Sequence, residues 1–217
     1  MDTIQHIIWD WNGTLLDDTL ASVNAINTML TRRGLACLDV TYYREIFGFP
    51  VIDFYRKIAF PLEQEDWGEV AHEFHDLFLQ EPSMRLHDGA RDALEHVRQR
   101  GLPQSILSAS EQGILDNLLD GFGIRAYFTE VFGVDNMHGV SKMELGRNLL
   151  RKLALPPENI LLIGDTLHDA EVAQALGIQC VLVAHGHQSM SRLVQAGVPV
   201  FRDLRFVFSR RDAEAQR

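Results

Sequence analysis

Four short stretches carry residue types that can do chemistry together. WDWNGTLLDD places Asp10, Asn12, Gly13 and Thr14 just after one apolar run, and LSAS places Ser108 and Ala109 at the end of another. VSKMEL supplies Lys142, and GDTLHD supplies Asp165 and Asp169 after a third apolar run. Carboxylates gathered at one place repel each other unless a cation offsets them. Mg²⁺, held by one or two carboxylates plus substrate phosphate, suits that set. A lysine and a hydroxyl beside it suit the oxygens of a phosphoryl group. Gly13 lets the backbone N–H groups of its turn approach an anion closely.

These residues meet only if the right elements hold them. Residues 4–9 read as a buried strand, and a helical period runs from Asp18 to Arg33, with Asp18 and Thr19 as the cap signal and Gly34 as the stop. Residues 40–81 continue in helical style, punctuated by Pro50 and Pro61, with no strand expected between about 17 and 86. Beyond Pro82, strands at 104–107, 130–134, 159–164, 178–184 and 198–201 alternate with helices, which indicates βαβ units and a parallel sheet. Ligands of such a sheet bind at the carboxyl ends of its strands, where Asp10, Ser108 and Asp165 fall. The tail after Phe208 is polar and expected to fray.

The order of these motifs resembles the haloacid dehalogenase superfamily, in particular its phosphoglycolate phosphatase-like branch. The resemblance rests on WDWNGTL, ILS, the helix-opening Lys142 and GDTLHD, with FGFPVIDFYRKI similar to the branch's substrate-facing cap segment. It implies an α/β Rossmann-like core, residues 1–16 and 87–217, with a small all-helical cap, residues 17–86, that opens and closes over the site. It implies a Mg²⁺-dependent phosphomonoester hydrolase of a small phosphorylated metabolite, in which Asp10 is the nucleophile and forms an aspartyl-phosphate. By the same resemblance Asp10, Asp165 and the backbone carbonyl of Asn12 ligate the metal. Asp169 supports the metal shell or Lys142, and Ser108 and Lys142 bind the phosphoryl group with the backbone at Gly13 and Ala109.

One position departs from the pattern. The family carries a second aspartate, its general acid and base, where this chain has Asn12. An amide cannot ionise, and acid–base help is worth roughly 10²–10⁴-fold. A phosphatase with slowed turnover is one reading, less impaired on good leaving groups. A phosphate-binding module with little turnover is another. A third is a phosphonate-cleaving enzyme that forms a Schiff base through Lys57, the one cap lysine. Dehalogenation needs neither Lys142 nor Asp165. A nearby acid standing in for the missing one is a further reading, with Asp17 close in sequence.

Composition limits the alternatives. In 217 residues, 46% are apolar and 23% charged, and the net charge of −10 disfavours nucleic acid or an anionic membrane as partner. No window is long and apolar enough for a membrane span, and no leader is evident, so a cytoplasmic protein, monomer or homodimer, is expected. Cys37 and Cys180 are read as buried small residues. His72 and His75, and His185 and His187, are read as surface or loop histidines for want of a third ligand. Trp67, Phe74 and Phe78 are read as cap core, while Tyr55 and Arg56 are open to either packing or substrate contact.

Overall fold

A computed structural model describes residues 3–134 and 141–208. Six strands form one parallel sheet: β1 (His6–Trp9), β4 (Gln104–Glu111), β5 (Glu130–Val134), β6 (Ile160–Gly164), β7 (Gln179–Val183) and β8 (Val200–Phe201), in the spatial order β5-β4-β1-β6-β7-β8. The near-continuous apolar runs in β1 and β6 are buried along their whole length, as a sheet covered on both faces requires. Helices α5 (Ala90–Gln99), α6 (Gln112–Gly121), α7 (Lys142–Leu153), α8 (Leu167–Leu176), the short α9 (Met190–Leu193) and α10 (Leu204–Val207) complete this part. Two apolar clusters fill it, one with Trp9, Leu94 and Ile163, the other with Ile8, Leu149 and Leu162.

Register sets the site. Trp9 pairs with Ile106 of β4 and with Ile163 of β6, so the residues just beyond these pairs stand at nearly the same level. Asp10, Ser108 and Asp165 thereby arrive at one edge.

Between β1 and β4 stands a helical block: α1 (Thr19–Arg32), α2 (Val40–Ile46), α3 (Val51–Lys57) and α4 (Trp67–Leu79). It has an apolar cluster of its own around Met29, Leu30, Tyr43, Phe54 and Val70. Arg33 ties α1 to Glu65 and Glu73 at 2.5 and 2.7 Å. A two-stranded antiparallel ribbon, β2 (Leu16–Asp17) with β3 (Arg85–Leu86), carries the chain in and out of the block. Sequence reading misses this ribbon because two residues per strand show no alternation.

Other differences are local. Cys37 is exposed and only Cys180 is buried; both are free thiols. The strand of residues 104–107 continues to Glu111 across a shift in register, and α6 begins directly after it at Gln112. The short α10 seats Leu204 and Val207 in the core. The polar tail expected to fray lies outside the described residues. Among the described residues no helix is long and apolar enough to cross a membrane.

Candidate active site

The tight loop after β1 folds back on itself: Trp11 O accepts the N–H groups of Thr14, Leu15 and Leu16 at 3.0–3.2 Å. This turns Thr14 inward, where its hydroxyl faces Asp10 Oδ2 at 2.9 Å and Asp165 Oδ1 at 3.2 Å. Lys142, the first residue of α7, places its ammonium between Asp10 and Asp169, at 2.6 Å from Asp169 Oδ1. The other oxygen of Asp169 accepts from Thr166 N and Oγ1 at 3.0 and 2.7 Å. Asp169 therefore caps α8 and anchors Lys142 with one carboxylate.

Asp10, Asp165 and Asp169 each offer an oxygen within 4.8 Å of the others, all buried. Burial pushes the Asp10 carboxyl up to about 6, against the pull of Lys142. Asp165 is raised well above the usual carboxylate range, first by burial and further by Asp10 and Asp169. Burial would lower Lys142, but its two carboxylates outweigh that and keep it charged. One lysine does not neutralise three buried acids. The oxygen-rich, anionic donor set fits a divalent metal ion, with Asp10 and Asp165 as candidate ligands and Asp169 tied to Lys142 and Thr166.

Asn12 sits in a polar network beside this cluster. Its Nδ2 donates to Asp18 Oδ2 at 2.7 Å, and its Oδ1 accepts from Ser110 Oγ at 2.6 Å. Asp18 Oδ1 accepts Gly13 N at 2.7 Å and His187 Nε2 at 3.2 Å. Sequence reading makes Asp18 an N-cap; it holds that position, but its carboxylate turns back into the loop and caps nothing. Burial would raise Asp18, yet His187, Asn12 and Gly13 together lower it. Burial would likewise lower His187, and Asp18 overrides this, bringing it to about 9. The imidazolium then donates Nδ1–H to the Tyr43 hydroxyl at 2.9 Å, and the His187 backbone N–H meets Asp165 Oδ2 at 2.6 Å. The Gly13 N–H, expected to face an anion, is spent on Asp18 and on Leu16 O.

Above these groups lies a cavity of about 250 Å³ between the helical block and the sheet edge. Asp10, Asn12, Asp18, Ala109, Ser110, Lys142, Asp165, Asp169 and His187 line it. Ser108 stands at the same strand end but is buried, with Oγ accepting the Ser110 N–H at 3.0 Å. Trp67, Phe74, Phe78 and Tyr55 serve both the packed cores and the cavity wall. Arg56 is exposed, on Asp53. Lys57 is also exposed, its ammonium 3.3 Å from Ile46 O, and it does not line the cavity. Asp17 turns away to Arg85 at 3.1 Å; the acid beside Asn12 is Asp18. Sequence reading misses the part played by His187, taking it for a loop histidine. Its position holds the signal: like the acids, it lies beyond the carboxyl end of a strand, in the loop after β7.

Over 198 residues the chain is 25% identical to a phosphoglycolate phosphatase of Chromobacterium violaceum, covering 88% of this chain and 89% of that one. It is 26% identical over 193 residues to a 5'-nucleotidase of Pseudomonas aeruginosa, covering 87% and 86%. Among solved structures, a haloacid dehalogenase-like family hydrolase from Streptococcus pneumoniae superposes with a TM-score of 0.82 at 20% identity, covering 95% of this chain and 98% of that one. Residues 7–183 match the haloacid dehalogenase-like hydrolase family, and the chain belongs to that family.

Proposed function

We propose that this hydrolase releases phosphate from small phosphate monoesters, with Asp10 as nucleophile. The observation that carries this reading is the buried cluster of Asp10, Lys142, Asp165 and Asp169 at the floor of one cavity. Asp10 and Asp165, with the Asn12 backbone carbonyl, would hold Mg²⁺, which when bound supplies positive charge against the phosphoryl oxygens. Lys142 holds the Asp10 carboxylate in place and faces the transferring group with a second positive charge. The Asp10 carboxylate attacks phosphorus, the ester oxygen leaves with the bonding pair, and an aspartyl-phosphate remains. Water then attacks that phosphorus, releasing phosphate and regenerating Asp10. Ser108 and the Ala109 backbone complete the phosphoryl seat.

Asn12 supplies no proton to the leaving oxygen and takes none from the attacking water, so both steps are slowed. Phosphate release from phenyl phosphate in Mg²⁺, compared between wild type and Asp10→Asn, tests the proposal. Release that depends on Mg²⁺ and vanishes in Asp10→Asn supports it. Saturable binding of phosphate compounds with no release makes the protein a binding module.

A further inference from the structure

The cavity wall opposite the acids is aromatic. Tyr43, Phe47, Phe49, Phe54, Trp67 and Phe74 face it from the helical block. Phe49 stacks on His168 across the mouth with ring centroids 4.7 Å apart. A carboxylated or otherwise anionic leaving group needs a cation on that wall. Residues 17–86 contain six Arg and Lys side chains, and each is held elsewhere. Arg32 and Arg33 bind Glu73, and Arg33 also binds Glu65. Arg44 donates to the carbonyls of His185 and Gly186 at 2.7 and 2.8 Å. Arg56 pairs with Asp53, Lys57 with Ile46 O, and Arg85 with Asp17. None of the six lines the cavity; the lysine that does, Lys142, is shared between Asp10 and Asp169. His75 and His168 also face it, His75 with its pKa lowered by burial and His168 3.4 Å from Glu171, and His187 is charge-matched by Asp18.

We propose that the site selects phosphate monoesters of an uncharged aromatic alcohol over those of a carboxylated one such as phosphoglycolate. This rests on the phosphatase reading above and names its substrate class. Two independent features converge on it. The aromatic wall stabilises a ring by burial and edge contacts, whereas a second anion would lose its water with no free lysine or arginine among the described residues that line the cavity to replace it. The cavity, just under the usual ~300–1,000 Å³ of ligand pockets, restricts the leaving group to about one ring. Separately, Asn12 protonates no leaving oxygen, and a phenol, with a pKa of about 10, departs as the anion far more readily than an alkoxide. The P–O bond breaks with its electron pair on the phenolic oxygen, Asp10 takes phosphorus, and the phenolate gains its proton from water after release.

The test has a binding arm and a turnover arm, both on the whole chain with Mg²⁺. Calorimetry compares benzylphosphonate with 3-phosphonopropionate, the non-hydrolysable counterparts of phenyl phosphate and phosphoglycolate. Turnover compares phenyl phosphate, benzyl phosphate and phosphoglycolate; benzyl phosphate keeps the ring but leaves as an alkoxide. The expectation is at least tenfold tighter binding of benzylphosphonate, and a kcat/KM order of phenyl, then benzyl, then phosphoglycolate. Phe49→Arg, at an exposed position, should narrow the binding ratio severalfold by adding a cation at the mouth. Equal or tighter binding of 3-phosphonopropionate by wild type overturns the proposal and leaves the phosphatase reading standing. Release of phosphate from none of the compounds, with benzylphosphonate still preferred, overturns the phosphatase reading and keeps the pocket's ligand preference.

Discussion

Asn12 Nδ2 donates to Asp18 Oδ2 across 2.7 Å. The amide that replaces the family's second acid thus lies against a carboxylate that is almost wholly buried. An aspartate at position 12 would face Asp18 at hydrogen-bond distance. Two carboxylates so close, one of them wholly and the other partly buried, do not both ionise; one holds a proton and its pKa rises.

Restoring the family's residue by Asn12→Asp alone is therefore expected to lower stability and to recover little activity. Exchanging the two groups, Asn12→Asp with Asp18→Asn, keeps one amide-to-carboxylate hydrogen bond and moves the charge to position 12. The double variant should gain about 10²–10⁴-fold in kcat on an alkyl phosphate, and much less on an aryl phosphate. A double-mutant cycle in stability should show coupling of about 0.5–3 kcal/mol. Additive effects, or full rescue by the single variant, would mean that the contact does not govern the role of position 12.

The charged residues of the site were legible because their place beside apolar runs and their residue type were enough to find them. Asp10, Lys142, Asp165 and Asp169 follow or precede apolar runs, and parallel pairing brings those runs level. The Asp18–His187 pair was not legible. Its members are 169 residues apart, and nothing in either local pattern says that Asp18 turns back from its cap position. The aromatic wall was half legible: Trp67, Phe74 and Phe78 read as cap core, but an apolar helix face serves a core and a cavity alike.

Gly13 is held at φ +73°, and a Cβ built there would lie 2.2 Å from Asp165 Oδ2 and 2.5 Å from His187 Cδ2. Gly13→Ala is expected to destabilise the fold by more than the ~1–2 kcal/mol of left-handed strain alone, because the Asp165 carboxylate and the His187 ring must both move. Urea unfolding measures the loss, and Mg²⁺ titration should show weaker binding in the same variant. A loss below that strain figure would mean that the loop relaxes freely.

Of three clustered buried acids only Asp10 and Asp169 are bonded to Lys142, so a divalent ion bound to the folded chain should stabilise it. At a Mg²⁺ concentration of 100 Kd the gain is about 2.7 kcal/mol, read as a rise in Tm that excess chelator reverses. Asp165→Asn removes a candidate ligand and should abolish most of that rise. Lys142→Met leaves the acids without their lysine and should lower Tm in the absence of metal by a buried-pair loss of about 3–5 kcal/mol, part of which Mg²⁺ restores. An unchanged Tm with Mg²⁺ in wild type would exclude the cluster as a metal site of useful affinity.

His6 gives the fold an acid-sensitive point away from the site. Its ring is buried in β1, with Nε2 2.9 Å from Ser105 Oγ. Burial lowers its pKa from 6.5 to about 4, Glu130 opposing. The folded chain therefore binds this proton less readily than the unfolded chain, so protonation favours unfolding. The stability carried by neutral His6 is intact above about pH 6.5 and is lost as pH falls toward 4. His185 has the same sign: burial and the neighbouring His87, stacked at 3.7 Å, hold it at about 3. Asp10, raised to about 6, has the opposite sign, so a comparison between variants is needed to isolate His6. The Tm of wild type relative to His6→Gln should decline between about pH 7 and pH 5. A constant difference across that range would assign the acid sensitivity to other groups.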